Sequence, residues 1–227
     1  MQRNIYTVGS TRLISVLSVM WILFQNKNLV RSQKPFLIMA VIITGCSSVG
    51  KTTLAKKLLK KFKQLAIVNS VTTRSNREDD FNYEYVDELK FKDMLKNEEF
   101  AYSDEVFPGV FYANKLSSFG RIYLDNKIPL IVTDPKGAEF YQDILTHSGV
   151  INLIPKDKSI VKERIATKRS SNVFDRLDKF EEEISYKGGN VYELTELSEV
   201  EDEIFDLVKF FFKHWKWLKT KKHLIGF

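Results

Sequence analysis

With 227 residues, of which 44% are hydrophobic, the chain can bury a sizeable core, and one domain with small inserted lobes is expected. The formal net charge of +6 is unevenly placed, because residues 1–77 hold thirteen Lys and Arg and no Asp or Glu, whereas the remainder is net acidic. This distribution argues against a nucleic-acid-binding domain that is basic throughout, and it favours a basic half that meets phosphates.

Residues 1–35 form an N-terminal extension that contains an apolar run from Leu13 to Phe24 with basic residues on both sides. A run of twelve residues is too short for a membrane-spanning helix, which needs about twenty, so no stable membrane span is expected. Three interpretations remain open: a translation start at Met39, an organelle transit peptide and a membrane anchor. The lone Cys46 excludes an internal disulfide and indicates a reducing compartment. We expect a cytoplasmic protein, or an organelle-matrix protein if residues 1–38 are a transit peptide.

From residue 36 onward, the pattern alternates between strands and helices. Residues 36–43 are a continuous apolar run rich in β-branched residues, as expected for a strand buried on both faces. Asp87 is expected to cap a helix that runs to Lys96 and buries Leu89, Met94 and Leu95. Further strands are predicted at 65–68, 128–133 and 150–154, and further helices from residue 51 and at 160–167, 173–186 and 199–219. The alternation predicts an α/β fold with a mostly parallel sheet.

Residues 45–52 match the phosphate-binding loop G-x-x-x-x-G-K-[ST] at every fixed position, between a predicted strand and a predicted helix. The glycines let backbone N–H groups surround phosphates, and the helix N-terminus adds partial positive charge. In such a loop Lys51 reaches the β- and γ-phosphates of ATP, and the hydroxyl of Thr52 ligates Mg²⁺. The residues expected to bind ATP are Gly45, Cys46, Ser47, Ser48, Val49, Gly50, Lys51, Thr52 and Thr53.

The loop alone does not identify the phosphate acceptor, since GTPases, ATPases and transporters share it. The Asn-Lys-x-Asp segment with which GTPases read guanine is missing, because the Asn-Lys pairs at 114–115 and 126–127 are followed by Leu-Ser and Ile-Pro. Arg74 and Arg77 lie just past a predicted strand end. Two planar guanidinium groups at this spacing suit a dianionic phosphate.

The segments that follow resemble the guanylate kinase family over residues 36–212. The matching stretches are Ser-Val-Thr-Thr-Arg at 70–74, Tyr-Glu-Tyr-Val at 83–86, Glu-Phe at 99–100, Glu-Val-Phe at 105–107 and Phe-Tyr at 111–112. The resemblance implies a three-layer α/β P-loop nucleoside-monophosphate-kinase fold with a parallel sheet core. It also implies an acceptor-binding lobe at about 70–121 and a lid at about 156–178, which leaves 213–227 as a basic aromatic tail.

The resemblance further implies which residues bind the acceptor. The four residues that would hold its phosphate all match: Arg74, Arg77, Tyr83 and Tyr112. Ser70 and Asp134 match two of the residues that read the base. At two other base-reading positions the chain departs from the family, since Tyr102 replaces a glutamate and Asn114 replaces a hydroxyl residue. The neighbouring carboxylates of Asp104 and Glu105 are candidates to replace the missing one.

In the lid, Arg164 and Arg176 match arginines that close on the transferring phosphate, where cations neutralise charge on the γ-phosphoryl oxygens. With Lys51 they are the expected catalytic residues. No general base is required, because an acceptor phosphate is already ionised at pH 7.

The sequence thus predicts an enzyme of purine nucleotide metabolism that uses ATP and Mg²⁺ to phosphorylate a nucleoside monophosphate, with GMP favoured and no nucleic-acid partner. Two alternatives remain. Tyr102 and Asn114 leave open a related P-loop kinase that acts on another phosphorylated acceptor. A non-catalytic guanylate-kinase-like binding module is the other, and the intact Lys51 argues against it. The oligomeric state does not follow from the sequence.

Overall fold

The computed structural model describes residues 39–76, 81–145, 147–167 and 173–220. The predicted N-terminal extension, Arg77 and the last seven residues of the tail lie outside the described residues. Within the described ranges the strands are β1 (Met39–Gly45), β2 (Leu65–Ile67), β3 (Ser70–Thr72), β4 (Tyr83–Tyr85), β5 (Phe100–Phe107), β6 (Val110–Lys115), β7 (Ile128–Val132), β8 (His147–Pro155) and β9 (Asn190–Leu194). The helices are α1 (Lys51–Lys61), α2 (Glu88–Lys96), α3 (Leu116–Leu124), α4 (Pro135–Ile144), α5 (Lys158–Thr167), α6 (Val173–Ser185) and α7 (Glu201–Thr220).

The core is a five-stranded parallel sheet in the order β2-β7-β1-β8-β9. Strand β1 lies in the middle, where Ile42 pairs with Ile131 of β7 on one side and Val150 of β8 on the other. All seven residues of β1 are buried, which explains the uninterrupted apolar run in the sequence. The predicted parallel α/β sheet is confirmed.

Helices cover both faces of this sheet, which gives three layers. On one face, Leu54 and Leu58 of α1 share a core cluster with Phe205 and Val208 of α7. On the other face, α3 and α4 contribute a second cluster that includes Phe119 and Tyr141. Among the described residues, no helix combines the length and apolarity needed to cross a membrane.

A second sheet of four strands, in the order β4-β3-β6-β5, was not predicted from the alternation pattern. Strands β5 and β6 form an antiparallel hairpin, and the short β3 and β4 pair in parallel. Its strands have few apolar residues in regular alternation, so the periodicity of the sequence gives little signal for it. One face of the sheet is covered by α2, and the other remains available to line a cleft.

The cap predicted for α2 is confirmed, because a side-chain oxygen of Asp87 accepts a hydrogen bond from the Lys90 N–H at 2.7 Å. The predicted inner face of the helix is wrong in part. Met94 is buried, but Leu89 is 79% exposed and Leu95 is 49% exposed. The residue that accompanies Met94 is Phe91, three positions earlier and therefore on the same side of the helix. Leu89 is five positions from Met94 and points away from it.

A chain that begins at Met39 is expected to fold and to turn over substrate as well as the full chain, because it keeps all of the central strand β1, which is fully buried and paired on both sides. The test compares the thermal unfolding midpoint and kcat of the two proteins. Insolubility or loss of activity of the shorter chain would instead assign residues 1–38 to the fold.

Candidate active site

A cleft of about 340 Å³ separates the loop after β1 from the open face of the four-stranded sheet. The loop, both sheets and the two helices α5 and α6 contribute to its walls. Among the predicted site residues, Gly45, Cys46 and Val49 do not line it. Those that do are Ser47, Ser48, Gly50, Lys51, Thr52, Thr53, Ser70, Arg74, Tyr83, Tyr102, Tyr112, Asn114, Asp134, Arg164 and Arg176.

The loop has the conformation that its glycines permit. Gly45 has a φ of 133°, and a Cβ there would lie 2.2 Å from the backbone oxygen of Leu153, so no other residue fits. Cys46 and Val49 are buried in the core beneath the loop. Burial raises the pKa of the Cys46 thiol to about 12, so the thiol is protonated at neutral pH and is not a nucleophile.

Lys51 lies at the first position of α1 and turns back over the loop. Its Nζ donates hydrogen bonds to the backbone oxygens of Gly45 at 2.6 Å and Cys46 at 2.8 Å. The ammonium group is thereby held at the mouth of the loop, beside the cleft. Thr52 follows on the same turn and also lines the cleft.

Two side chains from α6 contact this loop. Arg176 is 7% exposed, and its guanidinium donates to the Ser47 hydroxyl at 2.8 Å. Ser47 also donates its backbone N–H to a carboxylate oxygen of Glu183 at 2.9 Å. Burial raises the pKa of Glu183, while the positive charge of Lys51 opposes this shift. One backbone N–H of the loop therefore already donates to a side-chain oxygen, as the N–H groups of such a loop donate to phosphate oxygens.

The opposite wall is built from two rows of neighbouring residues across the four-stranded sheet. Because side chains of alternate residues share a face, both rows point the same way. The first row is Tyr83, Ser70, Asn114 and Tyr102, and the second is Tyr85, Thr72, Tyr112 and Asp104.

Aromatic rings and a guanidinium group gather at the β4 side of this wall. The Arg74 guanidinium lies 4.8 Å from the centre of the Tyr83 ring and 5.5 Å from that of Tyr85. The ring of Tyr112 meets Tyr83 edge-on at 6.2 Å. The structure therefore brings together Arg74, Tyr83 and Tyr112, three of the four residues expected to hold an acceptor phosphate.

Buried polar side chains form a network in the middle of the wall. The Asn114 side-chain amide donates to the Ser70 hydroxyl at 2.9 Å and accepts from the Tyr141 hydroxyl at 2.9 Å. Ser70 and Asn114 are each 4% exposed. Asn114 thus fixes the Ser70 hydroxyl at the surface of the cleft.

Tyr102, at the far edge of the wall, packs against helix α4. Its ring lies 5.3 Å from that of Phe140, and its hydroxyl donates to Oδ1 of Asp134 at 3.4 Å. The same Asp134 oxygen caps α4 by accepting the Gly137 N–H at 2.9 Å. Tyr102 therefore joins the two sheets of the protein, and its hydroxyl is already engaged.

The profile of the family described as Guanylate kinase matches residues 38–213. The chain belongs to the guanylate kinase family. A guanylate kinase of Prochlorococcus marinus subsp. pastoris is 31% identical over 177 residues, which span 74% of this chain and 96% of that protein. One of Clostridium perfringens is 28% identical over 172 residues, with 74% and 78% covered. The crystal structure of guanylate kinase from Anaplasma phagocytophilum has a TM-score of 0.57 at 21% identity, with 78% of this chain and 87% of that chain covered, and it confirms the fold.

Sequence reasoning missed Glu183 as a site residue of this guanylate kinase family member. A signal was present, since Glu183 follows Arg176 by seven positions and thus lies on the same face of the helix, two turns later. Three consecutive glutamates at 181–183 gave no reason to prefer the third.

The structure also distinguishes between the two carboxylates that the sequence offered as replacements for the glutamate that is missing at the position of Tyr102. Glu105 accepts the Gly109 N–H at 2.8 Å in the β5–β6 turn, and it does not line the cleft. Asp104 does line the cleft.

Proposed function

We propose that this protein transfers the γ-phosphate of ATP to a nucleoside monophosphate, with GMP as the favoured acceptor. The observation that carries the proposal is the arrangement of one cleft, which has a phosphate-binding loop on one wall and the group Arg74–Tyr83–Tyr112 on the other. Two phosphate-binding sites that face each other suit a reaction between two phosphorylated substrates. Membership of the guanylate kinase family supports the same reaction.

In this proposal the loop residues 45–53 bind the phosphates of ATP through their N–H groups, and Lys51 contacts the β- and γ-phosphates. Arg164 and Arg176 approach from α5 and α6, and their charges offset the negative charge that spreads over the γ-phosphoryl oxygens. The acceptor phosphate needs no deprotonation at pH 7, so these residues position and neutralise without transferring a proton.

Mg²⁺ fits this cleft as a companion of ATP. The hydroxyl of Thr52, beside the loop, is the protein ligand expected for it. In the part of the chain that the structure describes, no group of three or more His, Cys, Asp or Glu side chains could hold a metal. When bound, the ion would offset the negative charge of the ATP phosphates.

The proposal is tested by ADP release from Mg²⁺-ATP in the presence of GMP, dGMP, AMP, CMP or UMP, with a reaction that lacks acceptor as the control for simple ATP hydrolysis. The highest kcat/KM is expected with GMP. ADP release with none of these acceptors, in a protein that still binds ATP, would favour a related kinase with a different phosphorylated acceptor.

A further inference from the structure

Two aspartates face the β5 side of the cleft, away from the Arg74 group. Asp134 is committed in part, because its Oδ1 accepts both the Gly137 N–H and the Tyr102 hydroxyl. Asp104 is different: its Oδ2 is buried, and no hydrogen-bond partner for it exists among the described residues. A buried carboxylate oxygen without a donor is costly, and a ligand that brings a donor removes that cost.

The surroundings of Asp104 agree with a carboxylate that can accept a hydrogen bond from a ligand. Burial raises its pKa, and the nearby negative charge of Asp134 raises it further, whereas Lys179 of α6, Lys136 of α4 and a hydrogen bond with the Glu105 backbone oppose the shift. Both lysines act at a distance, since neither forms an ion pair with Asp104 among the described residues.

The position of Asp104 relative to Arg74 and Tyr83 suits a contact with the base of the bound nucleotide. It lies on β5, at the opposite edge of the four-stranded sheet from β4, and three strand spacings correspond to about 14 Å. A monophosphate held near Arg74 and Tyr83 extends its base along the wall towards β5. The base then meets Ser70 and Asn114 before it reaches Asp104 and Asp134.

The chemistry of the purines decides which base suits this edge. Guanine presents two adjacent donors, its N1–H and its 2-amino group, and a carboxylate has two oxygens that accept both. Adenine has an acceptor at N1 and no 2-amino group. Hypoxanthine, the base of IMP, keeps the N1–H but lacks the 2-amino group.

The geometry points to Asp104 as the residue that selects guanine in this protein, an inference that rests on the proposed function. Asp104 accepts the N1–H and 2-amino donors of the base. Tyr102 takes no direct part, because its ring fills the space beside α4 and its hydroxyl fixes Asp134. The guanine-reading carboxylate has thus moved two residues along β5, from the position of Tyr102 to the next residue on the same face.

The test compares the wild-type full chain with Asp104→Asn in kcat/KM for GMP, IMP and AMP. The variant keeps the shape of the side chain but turns one acceptor into a donor. For GMP we expect a loss of about ten- to a hundredfold, the size of one charged hydrogen-bond pair. The kcat/KM for IMP should fall less than that for GMP, and the kcat/KM for AMP should change little. The KM for ATP should not change. Glu105→Gln is the matched control, since it makes the same change one residue later on the other face.

Three results would overturn the inference. In the first, kcat/KM for GMP, IMP and AMP stays at wild-type values in Asp104→Asn. In the second, kcat/KM falls by the same factor for all three acceptors. In the third, Glu105→Gln changes the ratios among the acceptors as much as Asp104→Asn does. A failure of the proposed function looks different, because the wild-type protein would then phosphorylate none of the three.

A stability measurement supplies a readout besides activity. A carboxyl group whose pKa is raised in the folded protein stabilises it at low pH, and that stability is lost as pH rises through the raised pKa. Asp104→Asn removes this loss, so without ligand its thermal unfolding midpoint should exceed that of wild type at pH 8, with the gap closing towards pH 4. Saturating GMP should raise the wild-type midpoint more than the variant midpoint. A variant that is less stable than wild type at both pH values would mark Asp104 as a structural residue.

Discussion

Replacing Lys51 with alanine is expected to lower kcat for phosphoryl transfer by about a hundred- to a thousandfold, the effect of removing one positioned charge from a transferring group. The ammonium group lies beside the loop backbone, on the oxygens of Gly45 and Cys46, from which it can contact ATP phosphates. Losing those two hydrogen bonds should cost only about 1–2 kcal/mol of folding stability. Steady-state kinetics and a thermal melt separate the two effects.

Lys60→Ala is the matched control for that variant, because Lys60 lies on the same helix with an exposed side chain away from the cleft. It should leave kcat unchanged. If Lys51→Ala retains most of the wild-type kcat while Lys60→Ala behaves as expected, the loop does not bind the transferring phosphate and the assignment is wrong.

Replacing Arg74 with alanine should reduce kcat/KM for GMP by about a hundredfold or more, since a guanidinium–phosphate contact is bidentate and charge-assisted. The KM for ATP should stay near its wild-type value, because Arg74 lies on the wall opposite the loop. The kcat/KM of Arg74→Lys for GMP should lie between those of the wild type and Arg74→Ala, since a lysine keeps the charge but lacks the planar, two-pronged donor group of arginine.

Arg121→Ala on α3 serves as the control for charge alone, because this arginine is exposed and does not line the cleft. An equal rise in KM for ATP and for GMP in Arg74→Ala would contradict the division of the cleft into a donor wall and an acceptor wall.

The parts of the structure that the sequence predicted are those whose signal is local. The fixed glycines of the phosphate-binding loop and the apolar run of β1 are each readable within a few residues, and both lie where they were expected. The cap at Asp87 belongs to this class, as does the buried Met94. The prediction was wrong for Leu89 and Leu95 because the presence of leucines in an amphipathic stretch does not by itself fix which face of the helix meets the core.

What the sequence could not give depends on contacts between distant segments. The hydroxyl of Tyr102 bonds to Asp134, 32 residues away. The Ser47 N–H bonds to Glu183, 136 residues away. The sequence offered both Asp104 and Glu105 as replacements for the missing glutamate, and the choice between them needed the fold, in which Asp104 lines the cleft and Glu105 does not.

The measurement that tests the central claim most directly is the fate of a labelled γ-phosphate. ATP that carries ³²P at the γ-position is mixed with GMP, Mg²⁺ and the full chain, and the products are separated before the reaction reaches equilibrium. We predict that the label appears in GDP in step with ADP, that it does not appear in GDP without GMP, and that Lys51→Ala slows its appearance by about a hundred- to a thousandfold. Label released as free phosphate at the same rate with and without GMP would contradict the account, because the protein would then hydrolyse ATP and not transfer its phosphate.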